Sequence, residues 1–352
     1  MSCGRCEKLP EIDFNVTDAY VDIPTEHHGE IFENVLKANK YDYREVDRGY
    51  FIKRLNFEDF ISFLSNMVFN TVEQKDVKVL PIKAGESLKF SSLRQYKALV
   101  EWKSLYQGKE VASIIGESRI KTLFQPIVEA KTGEIYGYEA LSRGMMKNGK
   151  IMNPEELFSR AKEMDLMFYL DRVCRESSIR AASKQGIKKR LFVNFIPTAI
   201  YEPSLCLQST AKVLREESID PEQMVFEVVE TEKVEDFGHL NRILDYYRDK
   251  GYSTALDDIG SGYSNISSLM QLKPDYMKIE MNIIREIHLD SKKQELLDEF
   301  ICSGKKVGAT ILAEGIETVE EYNYLKGKDV DLMQGYLFGK PEEVPIKEVE
   351  LR

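Results

Sequence analysis

The stretch TLFQPIVEAKTGEIYGYEAL (residues 122–141) contains two β-rich runs, 122–130 and 134–141, separated only by the turn signal KTGE (131–134). So short a connection joins neighbouring strands as a hairpin and makes them antiparallel. Beyond it the rhythm changes. Further β-rich runs occur at RLFVNF (190–195), MVFEVVE (224–230), STALDD (253–258), YMKIE (276–280), TILAEGIE (310–317) and LMQGYLF (332–338). Helical stretches, apolar at three- and four-residue intervals, lie between most of them, as in EDFGHLNRILDYYRDKG and SKKQELLDEFICSGKKVG. Eight strands with interleaved helices favour a closed barrel over an open sheet. The expected fold is therefore α/β, a TIM (β/α)8 barrel modified by one antiparallel strand.

The chain has 352 residues, long for one ordinary domain. Residues 1–86 are aromatic-rich and mixed in pattern, which predicts a small N-terminal domain to which the sequence assigns no function. Residues 87–112 carry Leu88, Leu93, Tyr96, Leu99, Val100 and Leu105 at helical spacing and predict a connecting helix. The barrel then occupies 113–352. Hydrophobic residues at 43% and charged residues at 31% describe a globular protein able to bury a core. No apolar run approaches the roughly 18–20 residues of a membrane helix, and the opening MSCGRCEKLPEIDF lacks the apolar stretch of a signal peptide. A cytoplasmic protein without a membrane partner is expected. The net charge of −10 argues against binding DNA or RNA polymers through a basic surface. The five cysteines are scattered, and only Cys3 and Cys6 have a metal or redox spacing, without a second pair to complete a zinc site.

Chemistry collects at the strand ends. Barrel enzymes work at the mouth formed by the C-terminal ends of their strands. Those ends carry Glu139, Asn194, Glu227 with Glu230, Asp257 with Asp258, Lys278, Glu314 with Glu317, and Gln334. Carboxylates crowded into one mouth raise one another's pKa and destabilise the fold unless a cation compensates. Hard oxygen ligands of this kind suit Mg²⁺ or Mn²⁺, and there are enough for two ions with one Asp bridging. Two such ions are a standard device for phosphoryl chemistry.

The motifs YEALSR (138–143), VNFIP (193–197), FEVVETE (226–232), DDIGSGYSN (257–265), DYMKIE (275–280), LAEGIET (312–318) and MQGYLFGKP (333–341) resemble, in order and spacing, those of the EAL-domain cyclic di-GMP phosphodiesterases. The resemblance covers residues 113–352 and implies metal-dependent hydrolysis of cyclic di-GMP to linear pGpG in bacterial second-messenger signalling. It implies that Glu139, Asn194, Glu227 and Asp257 hold one metal, with Asp257 bridging, and that Asp258 and Glu314 hold the second metal and its water. Lys278 then stands beside the attacking water and the phosphate, and Gln334 orients water or substrate. Arg143 and Leu141 contact the nucleotide, Glu317 contacts the guanine or supports the site, and Glu230 braces the loop that starts at Asp258. Calcium, larger and more loosely coordinated, is expected to permit nucleotide binding while suppressing hydrolysis. Family members are often dimers, so a homodimer through the barrel is expected. The competing reading is a receptor that binds cyclic di-GMP without hydrolysing it and signals through the N-terminal domain.

Two positions depart from the family pattern. Ile259 stands where Phe usually follows the Asp pair, and Glu280 stands where Asp usually follows Lys-Ile. The first predicts a less firmly seated GSGYSN loop. The second predicts a shifted contact behind the site, and both bear on turnover more than on binding.

Overall fold

A computed structural model of the chain describes residues 17–86, 90–228, 236–260 and 266–349. These divide into two compact units, one of residues 114–158 with 167–349 and one of residues 17–113 with 159–166.

The N-terminal unit is an antiparallel sheet of β1 (Thr17–Asp22), β2 (Tyr43–Val46), β3 (Gly49–Leu55), β4 (Lys78–Lys83) and β5 (Lys97–Ala98), in the order β2-β3-β1-β4-β5. Alternate residues of the central strands, Ala19 and Val21, Tyr50 and Ile52, and Val79 with Val77 just before β4, share one core with helical Phe32, Leu36, Phe57, Phe60, Leu99 and Trp102. The segment 87–112 is not the single connecting helix its periodicity predicts. Its described part contains a 3₁₀ turn (Phe90–Gln95), β5, and a helix at Leu99–Gln107 followed by a second at Lys109–Gly116. The physical reason lies in burial. Leu99 and Trp102 are drawn into the N-terminal core, with Trp102 Nε1 donating to the Val79 carbonyl at 2.9 Å and Phe57 edge-on to its ring at 5.0 Å. Gly108 then caps the first helix where any side chain would collide with Met164.

The second unit is the barrel. Its strands are β6 (Ile120–Glu129), β7 (Ile135–Met145), β8 (Ile151–Met152), β9 (Arg190–Phe195), β10 (Met224–Val228), β11 (Ser253–Ile259), β12 (Tyr276–Ile279), β13 (Thr310–Ala313) and β14 (Leu332–Gln334). The order is β6-β14-β13-β12-β11-β10-β9-β7-β8, and the β6–β7 pairing closes the ring, leaving β8 as a short appendage on β7. β6 is antiparallel to both its neighbours, β7 and β14, while the other ring pairs are parallel. The expected hairpin and the single reversed strand are thus both present. Between strands and helices lies an apolar layer that includes Phe124, Val193, Phe195, Phe226, Leu256, Met277, Ile279, Ile311 and Ala313, all buried. Inside the ring, Ile127, Phe192, Val225, Ala255, Tyr276, Leu312 and Leu332 form a separate apolar floor against which Tyr136 packs. No helix among the described residues is long and apolar enough to cross a membrane.

Candidate active site

The floor fixes what stands above it. Side chains alternate faces along a strand, so the residue two places on from each floor residue points into the same interior. From Phe192, Val225, Ala255, Tyr276, Leu312 and Leu332, that step gives Asn194, Glu227, Asp257, Lys278, Glu314 and Gln334. β7 adds Glu139, and Leu141 and Arg143 follow it on the same strand face. β6 runs the other way, so its contribution lies two residues before Ile127, at Gln125. Gln125 pairs across the ladder with Glu139, and its amide faces the Gly339 carbonyl at 3.4 Å. A reading confined to the C-terminal ends of strands misses Gln125; the signal that finds it is the reversal of β6.

Asp258 enters by a different device. In a regular strand it would point away from Asp257. Here the β11–β12 register shifts between Leu256 and Ile259, and Asp258 takes a left-handed conformation with φ at +54°. The bulge turns both carboxylates toward the mouth, and Asp257 Oδ1 accepts the Asp258 N–H at 3.0 Å. Asp tolerates this backbone region better than most residues, at a cost of about 1 kcal/mol. As a result, one carboxylate oxygen each from Asp257, Asp258 and Glu314 lie within 4.8 Å of one another.

Lys278 closes the layer. Its Nζ lies 2.7 Å from Glu314, 3.0 Å from Asp257, 3.0 Å from Glu227 and 3.7 Å from Glu139, with the side chain 1% exposed. Glu139 also accepts from Gln334 Nε2 at 2.7 Å and from Asn194 Nδ2 at 3.2 Å. Burial pushes the Lys278 pKa down, but Asp257, Glu139, Glu227 and Glu314 together hold it well above the ordinary lysine range. Burial would likewise raise Glu139, yet Lys278 and the Gln334 and Asn194 amides bring it below the usual carboxylate range. The other acids go the opposite way. Burial lifts Glu227 well above its ordinary value, Glu314 to about 8 and, with the help of Asp257, Asp258 to about 6. One ammonium does not neutralise five carboxylates in so small a volume.

The donor chemistry fits further positive charge. The Asn194 Oδ1 and the Gln334 Oε1 are buried and accept no hydrogen bond, and buried Glu227 has the Lys278 ammonium, 3.0 Å from its Oε1, as its cationic neighbour. Together with Asp257, Asp258 and Glu314 they form an all-oxygen set, the choice of hard divalent cations.

Beside this layer lies a cavity of about 340 Å³, mostly apolar in its lining, reached by Leu141, Arg143, Phe158, Asp171, Asn194 and Asp257. Arg143 Nη1 donates to the Ser142 carbonyl at 2.9 Å, and burial lowers its pKa. Glu317 is set apart at the rim, in an exposed bidentate pair with Arg285 at 2.6 and 2.7 Å. Its neighbour Glu321 is buried and accepts the backbone N–H groups of Glu286, Glu317 and Thr318 at 2.9–3.1 Å, tying the turn after β13 to the segment after β12. Glu230, Cys3, Cys6 and most of the GSGYSN loop lie outside the described residues. Ile259 is fully buried in the outer core and pairs with Ile279, while most of the loop it is expected to seat lies outside the described residues. Glu280 caps the short helix Met281–Ile284 and accepts from Asn282 Nδ2 at 2.5 Å.

Residues 110–341 match the EAL domain family, and the chain belongs to it. A curated relative from Escherichia coli K12, named as the probable cyclic di-GMP phosphodiesterase PdeG, is 29% identical over 235 residues, 64% of this chain and 45% of that protein. The chain thus spans less than half the length of that relative. Among solved structures, a standalone versatile EAL protein from Vibrio cholerae O395 in its c-di-GMP-bound form is 36% identical with a TM-score of 0.60, covering 66% of this chain and 95% of that one. Klebsiella pneumoniae BlrP1, solved as a calcium/cy-diGMP complex, is 20% identical at a TM-score of 0.60 and covers 95% of this chain, a likeness of fold alone.

Proposed function

We propose that this chain is a phosphodiesterase that hydrolyses cyclic di-GMP to linear pGpG with two divalent cations, Mg²⁺ or Mn²⁺. The observation that carries the reading is the layer of five carboxylates, Glu139, Glu227 and Asp257 buried and Asp258 and Glu314 half-buried, four of them within 4 Å of Lys278 Nζ, opening beside a cavity that Arg143 and Leu141 line. Glu139, Asn194, Glu227 and Asp257 would hold one ion, and Asp258 and Glu314 the other, with Asp257 shared. Bound divalent ions supply an activated water and neutralise charge developing on the phosphate.

The rest is the work of this chain's own side chains. Gln334 and Asn194 fix the Glu139 carboxylate by two hydrogen bonds, so that it is oriented before any ligand arrives. Lys278, with its Nζ 2.7–3.7 Å from four of the carboxylates, would stand beside the phosphate and the attacking water. Arg143 offers a planar fork of donors to a phosphate oxygen. Leu141, Phe158 and Ile196 give the cavity apolar walls on which a flat nucleobase rests. The reading includes a homodimer through the barrel, drawn from the family resemblance, action in the cytoplasm, drawn from the lack of any membrane-length apolar run, and an inhibitory role for calcium.

The test is incubation of the protein with cyclic di-GMP and Mn²⁺ or Mg²⁺, with and without excess chelator, followed by nucleotide separation. Product is expected only with metal. Undiminished turnover in chelator would remove the metal mechanism. Nucleotide binding without product in either metal would establish the receptor reading instead.

A further inference from the structure

We propose that Asp171 is a positioning residue for the metal-binding layer, acting through the end of β9. Asp171 sits on the helix Met167–Lys184, is 3% exposed, and belongs to none of the family motifs described above. Its Oδ1 accepts the N–H of Ile196 at 2.9 Å. Ile196 is the first residue past the last β9–β10 ladder pair, Phe195 with Val228, and stands two residues from Asn194. Asp171 therefore holds the strand where its ladder stops, immediately behind the amide that orients Glu139.

The other oxygen of Asp171 is fixed in turn. Oδ2 accepts from Arg175 Nε at 3.1 Å and Nη2 at 2.8 Å, and Arg175 Nη1 donates to Thr210 Oγ1 at 2.9 Å. Arg175 is 1% exposed, as is Thr210. Such a pair is costly to bury, and apolar residues of similar volume commonly replace buried ion pairs at no loss of stability. Its value here is directional: it fixes an acceptor at a backbone N–H just past the end of the ladder. A slack Ile196 would let Asn194 leave Glu139, and both are ligands in the proposed site. Loss of groups that orient ligands in this way costs about 10–100-fold in metal affinity.

The inference rests on the metal-dependent reading, and the experiment separates the two. Mn²⁺ affinity is measured by calorimetry without nucleotide, alongside hydrogen exchange at the Ile196 amide. Asp171→Leu with Arg175→Met removes both charges and the acceptor. It should fold, expose the Ile196 amide to exchange, and weaken Mn²⁺ binding at least about 10-fold. Asp171→Asn with Arg175→Gln keeps an acceptor for Ile196 in a neutral amide pair, and should restore slow exchange and affinity to within a few-fold of wild type. Asp171→Glu, which keeps the ion pair and displaces the acceptor, should behave like the apolar pair and decides the matter if that pair does not fold. Unchanged Mn²⁺ affinity in a folded variant with a fast-exchanging Ile196 overturns the proposal. So does failure of the Asn/Gln pair to restore affinity once exchange is slow. A wild type that binds no Mn²⁺ overturns both this inference and the reading it rests on.

Discussion

Lys278→Met keeps an unbranched side chain, one atom shorter, and removes its charge. In the metal-free protein the ammonium lies within 4 Å of four carboxylates, at 2.7, 3.0, 3.0 and 3.7 Å. At an effective dielectric of about 20, a single contact at 3.0 Å is about 5 kcal/mol of attraction. Most of that is offset by the desolvation of the ammonium and by mutual repulsion of the acids. Removing one partner of a buried pair costs about 3–5 kcal/mol net, and the lower end applies here because Glu227 and Glu314, already raised by burial, can take up protons. A loss of about 3 kcal/mol lowers Tm by about 6–12 °C in a domain of this size. The assay is thermal unfolding of wild type and variant in chelator and again in saturating Mn²⁺. With bound cations neutralising the layer, the deficit should shrink below about 1 kcal/mol, because the acids no longer depend on the lysine. A deficit of equal size with and without Mn²⁺ would refute the argument, since lost packing is indifferent to metal. A metal-free variant as stable as wild type would refute it more directly.

Three further outcomes are expected. Both Asp258→Gly and Asp258→Ala should abolish turnover, but the glycine variant should be the more stable by about 1 kcal/mol in denaturant melts, because alanine is strained at a φ of +54°. Glu321→Ala should lower stability by about 2 kcal/mol by stranding three backbone N–H groups, whereas Glu317→Ala, which breaks an exposed pair, should leave Tm unchanged; equal effects would mean the turn after β13 is not held by Glu321. Calcium as the only divalent ion should support calorimetric binding of cyclic di-GMP while product formation stays at background, and efficient cleavage in calcium would contradict the assignment of small, tightly coordinated ions to this site.

The sequence made the barrel legible because strand spacing and the two-residue alternation survive without tertiary help. Asn194, Glu227, Asp257, Lys278, Glu314 and Gln334 could be placed in one mouth for that reason alone. Three features could not be seen that way. Gln125 was hidden because the rule of strand C-termini inverts on a reversed strand. The shared direction of Asp257 and Asp258 depends on a bulge and a positive φ, neither of which has a signature in an Asp-Asp pair. The role of Lys278 as counter-ion to the whole layer follows from distances to strands far apart in sequence. The segment 87–112 misled for a different reason: its apolar spacing is helical, but Leu99 and Trp102 answer to the N-terminal core and Gly108 interrupts the run.

The reversal of β6 also decides where the chain enters the barrel. With every strand parallel, the first would begin at the floor, and the apolar layer would separate the entry point from the reacting groups. Here Ile120, the first residue of β6, lies opposite Gly144 of β7, past Glu139 and at the rim of the mouth. Any pull or twist on the polypeptide ahead of Ile120 is therefore delivered to the rim, a short extended run from Gln125. From there β6 pairs with β7 along residues 120–128 and, at its inner end, with β14 through 127–129, the strands that carry Glu139 and Gln334. The thread that leads into this barrel is tied to its working end.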